Sequence, residues 1–295
     1  MNQIPGENSQ IVLHDPEVQR AADIYQLGLP RAPAAGRSGE LLGRGTGSSL
    51  EFQEYREYVP GDDIRHLDWG AYARSDTLMV RLFREEISPR TEILIDASRS
   101  MSSGGQMKPL LTRQLAAVLA LLSGRLGGRP AIVPLEDGPP VPLGLDGLER
   151  LATLPFSGRT SLAELLSEHL VPMKRQAVRI VISDFLFPHD PAALVRRLAT
   201  EASALWLVQV LSAWEASPTP HGGRRLIDIE TGGETDLVVD RRAVETYLGR
   251  LSALQQELVR NCQRAHATFV SLVAERGLAA LCRDDLCAAG LLRVA

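Results

Sequence analysis

From residue 91 onward the chain alternates between two hydrophobic rhythms. Short runs that are almost wholly apolar, bounded by polar or glycine-bearing segments, predict strands buried on both faces. They cover Glu92–Ile95, Ala131–Leu135, Ala177–Phe185, Ala204–Leu211 and Thr268–Val273, with Val141–Leu143 as a short extra strand. Between them apolar residues recur every three or four positions, the signature of amphipathic helices. Lys108–Leu126 places Leu111, Leu115, Val118, Leu119 and Leu122 on one face; Arg242–Arg264 does the same with Val244, Leu248, Leu251, Leu258 and Cys262. Shorter helices are predicted over Leu148–Leu154, Leu162–Leu170 and Pro191–Ala202, and a last one runs through Leu286. The stretch "LIDIETGGETDLVVD" predicts a hairpin turning at Gly232-Gly233. Buried strands alternating with amphipathic helices imply an α/β fold with a doubly wound, mostly parallel sheet. Ligands of such sheets bind beyond the carboxyl ends of the strands, where the strand order reverses.

Ahead of residue 91 the pattern is weaker. Asp15 as an N-cap, with Pro16 at the first helical position, predicts one helix over Asp15–Leu27. "LPRAPAAGRSGE" reads as a linker. The chain thus divides into an N-terminal helix and linker (1–40), an N-terminal arm (41–90) and the α/β domain (91–295). "GRGTG", Gly43–Gly47, lacks the Lys-Ser/Thr ending of a phosphate loop. Within the arm, Pro60-Gly61 fits the centre of a type II turn, and Asp62 is placed to cap a short helix reaching Trp69. Arg56, Arg65 and Arg74 stand against Glu54, Asp62, Asp63 and Asp68, which reads as an ion-pair network holding the arm to the sheet domain. The alternative is a binding or catalytic role for Asp62, Asp63 or His66. Neighbouring side chains such as Asp62 and Asp63 diverge, so they need not share a proton.

Composition narrows the class. The 295 residues are 44% hydrophobic and 23% charged, with a net charge of −4, so nothing favours a nucleic-acid or anionic-membrane partner. Three cysteines, an odd number without ligand-like spacing, fit a reducing compartment. The N-terminus lacks a signal-peptide layout, and no apolar run approaches the roughly 18 residues of a membrane span. A soluble, cytoplasmic protein is the expectation.

Candidate chemistry sits where the two best strands end. Ile95 leads to Asp96, followed at alternate positions by Ser98 and Ser100, and Ser183 leads to Asp184. Between them Thr160 follows Gly158 in a G-x-T loop just before a helix. Two readings are open. Ser98 or Ser100 and Asp184 cap the following helices, or Asp96, Ser98, Ser100, Thr160 and Asp184 hold a hard divalent cation. Two carboxylates and three hydroxyls suit Mg²⁺, with one position left for water or an incoming acid.

The D-x-S-x-S loop, the Thr of G-x-T and the Asp ending a later strand resemble the metal-ion-dependent adhesion site of von Willebrand factor A domains. That resemblance implies a von Willebrand factor A-like fold and a Mg²⁺ ion, or Mn²⁺ or Ca²⁺, completed by an acidic residue of a protein partner. Upstream, Gly45, Gly47, Glu51-Phe52, Arg56, Tyr58, Pro60–Asp63, Arg65, Asp68-Trp69 and Ala73-Arg74 resemble the bacterial family catalogued as domain of unknown function 58. The likeness runs from about residue 40 to the C-terminus. It implies a MoxR-type AAA+ ATPase as partner, and an adaptor or co-chaperone role. Many members carry membrane helices ahead of this motif; this sequence has none, so direct membrane insertion is not expected.

The expected activity is metal-assisted protein binding without catalysis. A metal-dependent phosphohydrolase is the alternative, with Asp96 as phosphate acceptor. The haloacid-dehalogenase pattern, however, needs a second Asp where Ser98 stands. A third possibility is a scaffold with a vestigial metal site, contacting its partners through the arm.

Overall fold

The computed structural model describes residues 15–28, 50–62, 64–85, 90–168, 171, 173–227 and 233–295. "GRGTG", the linker "LPRAPAAGRSGE", Asp63 and Gly232 of the predicted hairpin turn lie outside them. In chain order the main elements are α1 (Pro16–Ile24), β1 (Tyr25–Leu27), β2 (Leu50–Glu57), α2 (Trp69–Ser75), β3 (Met79–Glu85), β4 (Thr91–Asp96), α3 (Met107–Arg125), β5 (Pro130–Leu135), α4 (Leu148–Ala152), α5 (Leu162–Ser167) and β6 (Val178–Ser183). They continue with α6 (Pro191–Ala199), β7 (Ala204–Leu211), α7 (Ala213–Ala216), β8 (Gly222–Ile227), β9 (Glu234–Val239), α8 (Arg241–Arg264), β10 (Thr268–Val273), α9 (Leu278–Leu281) and β11 (Leu292–Val294). They form two compact units, Met1–Pro33 with Pro89–Ala295, and Ala34–Ser88.

The larger unit is built on a five-stranded, all-parallel sheet in the order β10-β7-β6-β4-β5. Strand alternation sends Ile93, Ile95, Ile180, Ile182, Val208 and Val210 to a core shared with α1 and α3. Leu94, Val181, Leu205 and Leu207 go to the opposite core, with residues of α5, α6 and α8. Both faces are covered, which is why the strands read as continuous apolar runs. Chain order turns at β4: β5 lies on one side and β6 on the other, so the switch point of the sheet is the β4/β6 crevice.

Three departures from the sequence reading have local causes. The helix predicted over Asp15–Leu27 ends at Ile24, and Tyr25–Leu27 forms a strand: β1 pairs antiparallel with β11, and Val18, Ala21 and Ala22 are buried in the larger core. The N-terminal helix therefore belongs to the sheet unit. Val141–Leu143 is no strand, because Pro140 and Pro142 lack the N–H groups a ladder needs; Leu143 alone bridges Ile132. The last predicted helix breaks at Gly277 (φ +76°) into a 3-10 turn (Ala274–Arg276), α9 and a π turn (Cys282–Leu286). The hairpin of β8 and β9 is present.

The smaller unit is a β2–β3 antiparallel hairpin carrying α2. Gly61 adopts φ +111° and Asp62 N–H donates to the Val59 carbonyl at 3.0 Å, as the Pro60-Gly61 turn requires. The helix cap is Asp68, not Asp62. Asp68 accepts from Ala71 N–H at 3.0 Å, while Asp62 accepts from Val59 N–H and pairs with Arg56 at 2.7 Å. Asp68 is also held by the Tyr55 hydroxyl at 2.8 Å. Trp69 is 65% exposed, and Arg65 and Arg74 also face solvent.

At the far end of the sheet from its carboxyl edge, Glu92 of β4 and Arg179 of β6 are register partners and both buried. Arg179 reaches Glu92 Oε2 at 3.1 Å through two nitrogens and also donates to the carbonyls of Lys174, Leu198 and Thr200. Removing one partner strands the other's charge in the core. Glu92→Ala is expected to lower unfolding stability by about 3–5 kcal/mol in urea titrations. A loss below about 1 kcal/mol would refute a dry, fully engaged pair.

Candidate functional site

The parallel register that sets Ile95 beside Ile182 puts the next residues, Asp96 and Ser183, side by side at the carboxyl edge of β4 and β6. Both side chains follow the face of Leu94 and Val181, and the Ser183 hydroxyl donates to Asp96 Oδ2 at 2.6 Å. Asp96 Oδ1 accepts from Ser98 N–H at 3.0 Å, which folds the chain back over the carboxylate. The Ser98 and Ser100 hydroxyls lie 3.0 Å apart. Asp184 follows β6 directly, its Oδ1 accepting from Leu186 N–H at 3.0 Å. Phe185, next to it, is buried with φ +55°, a left-handed conformation that costs a non-glycine residue on the order of 1–3 kcal/mol. Gln209 of β7 supports this bend, donating to the Asp184 carbonyl at 2.8 Å and accepting from Gln255 of α8.

Asp96, Ser98, Ser100 and Asp184 thus meet at one end of the sheet, at its switch point. Thr160 is on the adjoining loop: Gly158 N–H donates to the Ala97 carbonyl at 3.0 Å, and Arg99 N–H to the Gly158 carbonyl at 2.9 Å. A side chain at Gly158 would press on that carbonyl, its Cβ 3.2 Å from the Ala97 oxygen. Thr160 itself is held by Asp137, whose carboxylate accepts from the N–H groups of Arg159 and Thr160 at 2.9 Å. Those bonds draw the Asp137 carboxyl below its usual range. The capping reading fails. Ser98 precedes a 3-10 turn without a side-chain cap bond, and Gln106, not a serine, precedes α3. His189 packs against the Phe187 ring, its Nδ1 2.7 Å from the Phe187 carbonyl.

Two residues that sequence reasoning missed complete the cluster. Lys108, in the first turn of α3, is buried, and its ammonium reaches Asp184 Oδ2 at 2.8 Å, Glu215 Oε1 at 2.9 Å and the Ser100 carbonyl at 2.9 Å. Glu215 is fixed from α7 by Ser212 N–H at 2.8 Å and by the Ser103 hydroxyl at 2.6 Å. The legible signal was the capping box Ser212-Ala213-Trp214-Glu215. Tyr247 of α8 donates to the Glu215 carbonyl at 2.9 Å, and burial with the charges of Glu215 and Asp184 pushes its hydroxyl up to about 12.

The charges are unevenly neutralised. Asp184 and Glu215 share one ammonium, whereas among the described residues no cation pairs with Asp96. Burial and then the like charge of Asp184 push the Asp96 carboxyl above its usual range, against the hydrogen bonds from Ser183 and Ser98. An oxygen-only set around a buried carboxylate without a counter-charge fits a hard cation. Among the described residues no cluster of three or more His, Cys, Asp or Glu side chains is arranged to hold a metal; the candidate set depends on hydroxyls.

Residues 54–257 match the family described as "Protein of unknown function DUF58", more than half of the sequence. The chain belongs to that family. This DUF58 member is 26% identical over 277 residues to an uncharacterized protein of Mycobacterium tuberculosis, a match covering 90% of this chain and 87% of that one. Among solved structures it resembles the conserved hypothetical protein BatB from Bacteroides thetaiotaomicron, at 10% identity, TM-score 0.36, and 63% and 90% coverage of the two chains. An aerotolerance-related membrane protein from Bacteroides fragilis matches at 11% identity, TM-score 0.31, and 58% and 99% coverage. Among the described residues of this family member, no helix is long and apolar enough to cross a membrane.

The raised Asp96 carboxyl has a definite sign in folding. The folded state holds this proton more tightly than the unfolded state, so ionisation of Asp96 opposes folding. Metal-free stability should fall as pH rises from the usual carboxylate range through the folded value. Asp96→Asn should remove that component. Urea midpoints of the two proteins measured in chelator across this range should converge at the acid end and separate above it, with the Asn variant more stable. Parallel curves would contradict the assignment.

Proposed function

We propose that the carboxyl edge of β4 and β6 is a cation-dependent protein-binding site of the von Willebrand factor A kind, on a domain of that fold. The observation that carries this reading is Asp96: buried, at the switch point, bonded to the Ser183 hydroxyl and, among the described residues, without a cationic partner. Asp96, Ser98, Ser100 and Asp184 would hold the ion, with Thr160 contributing from the loop beside them. Mg²⁺ fits the set best, since it takes oxygen ligands and retains water in open positions. The ion, once bound, supplies a positive point that an acidic side chain of a partner can ligate. The protein's own part is to keep the hydroxyls converged and Asp184 in place through Lys108 and the Phe185 bend.

The family resemblance points to a MoxR-type AAA+ ATPase as the partner, with this chain as its adaptor or co-chaperone. Direct phosphoryl transfer is disfavoured by the chemistry of the residues present. Ser98 replaces the acid that a haloacid-dehalogenase mechanism needs, and the nearby ammonium is already shared among Asp184, Glu215 and the Ser100 carbonyl.

The test is retention of proteins from native extract on the tagged full chain, in Mg²⁺, in EDTA, and with Asp96→Ala. An AAA+ ATPase retained only with metal and intact Asp96 is the expected result. The same proteins retained in all three lanes would overturn the reading and move attention to the arm around Asp68 and Trp69. Hydrolysis of an aryl phosphate, abolished by Asp96→Asn, would replace it with the phosphohydrolase.

A further inference from the structure

Lys108 raises a question that the cation reading leaves open, because a ligand set of oxygen atoms has no evident use for an ammonium in its midst. Three carboxylates converge beneath the carboxyl edge of the sheet, and Asp96, Asp184 and Glu215 are 1%, 0% and 6% exposed. One ammonium, 1% exposed, is placed between two of them. With all four groups ionised, the cluster keeps two negative charges. We infer that Lys108 and Glu215 set the valence of the ion the site accepts, making it selective for divalent over trivalent cations. The inference rests on the proposed cation site and adds two residues that need not touch the ion.

The geometry makes this a charge device as much as a brace. Glu215 is bonded through both oxygens to Lys108 and anchored by Ser103 and Ser212, so its charge is fixed in place. Lys108 bonds Asp184 with the same nitrogen, so the charge of Glu215 lies two hydrogen bonds from a proposed ligand. Across such a distance, in an interior of effective dielectric about 20, one unit charge changes the affinity of an ion by about tenfold or more. The Lys108 stem comes from α3, Asp184 from the end of β6 and Glu215 from α7 after β7. The balance is therefore struck between three separate segments.

Full-length protein titrated with Mn²⁺ alone by calorimetry, and with Tb³⁺ alone by sensitised luminescence, tests the inference without any partner. Glu215→Gln removes a negative charge but can keep the capping box with Ser212, since Glu and Gln both serve there. It should weaken Mn²⁺ binding by about tenfold or more. Lys108→Met leaves three negative charges and should raise the preference for Tb³⁺ over Mn²⁺ by a similar factor. If Lys108→Met does not fold, the Glu215→Gln titration decides alone. Mn²⁺ affinity unchanged within about twofold in Glu215→Gln would overturn the inference. So would an equal loss of both ions in folded Lys108→Met, the result expected of a lysine that only braces the loops. Wild-type protein that binds neither ion removes the proposed cation site itself, and the inference with it. Binding by wild type with unaltered selectivity in the variants removes the inference alone.

Discussion

A parallel sheet carries two carboxylates out of water at the ends of adjacent strands, and the surrounding structure answers the cost of putting them there. An isolated ionised carboxylate in a protein interior is among the least tolerable of buried groups. Asp184 is answered by an ammonium, and Asp96 by a hydroxyl and a backbone N–H, with a raised affinity for a proton. From this follow the fold-back at Ser98, the left-handed Phe185 and the inward reach of a lysine that any surface helix would leave in solvent.

The sheet was legible because burial on both faces leaves little choice of residue: β7 and β10 carry the predicted boundaries. The strand-end acids were legible for the same reason, since a carboxylate directly after an apolar run stands out. Lys108 was not. A lysine in a helix's first turn looks like a solvated residue, and only three-dimensional closure shows that the turn is covered by α7 and the end of β6. The arm's hairpin was hidden by a bulge. The pairing register shifts between Phe52 and Glu54, so Phe52 and Tyr55 are spaced by three and the alternation of a strand is broken. The cap assigned to Asp62 moved to Asp68 because Asp62 is occupied in closing the Pro60-Gly61 turn.

Opposite ends of the same strands are handled by different chemistry. At the amino end Glu92 and Arg179 satisfy each other directly across β4 and β6, together with backbone carbonyls, and nothing there calls for another ion. At the carboxyl end the corresponding strands finish in acid and hydroxyl groups, and the nearest ammonium is spent on Asp184 and Glu215. A closed pair at one edge and an unbalanced one at the other is what separates a structural network from a candidate site on a single sheet.

The pairing of β1 with β11 also governs the order in which the fold is assembled. Tyr25 meets Val294 and Leu27 meets Leu292, residues from opposite ends of the described chain. Loop closure over such a separation is entropically unfavourable and is compensated only once a surface exists to receive the segment. The sheet and α3 supply that surface, so docking of α1 and β1 is expected to follow their assembly. Val18, Ala21 and Ala22 have no core to enter until the sheet and α3 have come together, so their burial follows from the assembly of the sheet unit and not from the formation of α1 itself.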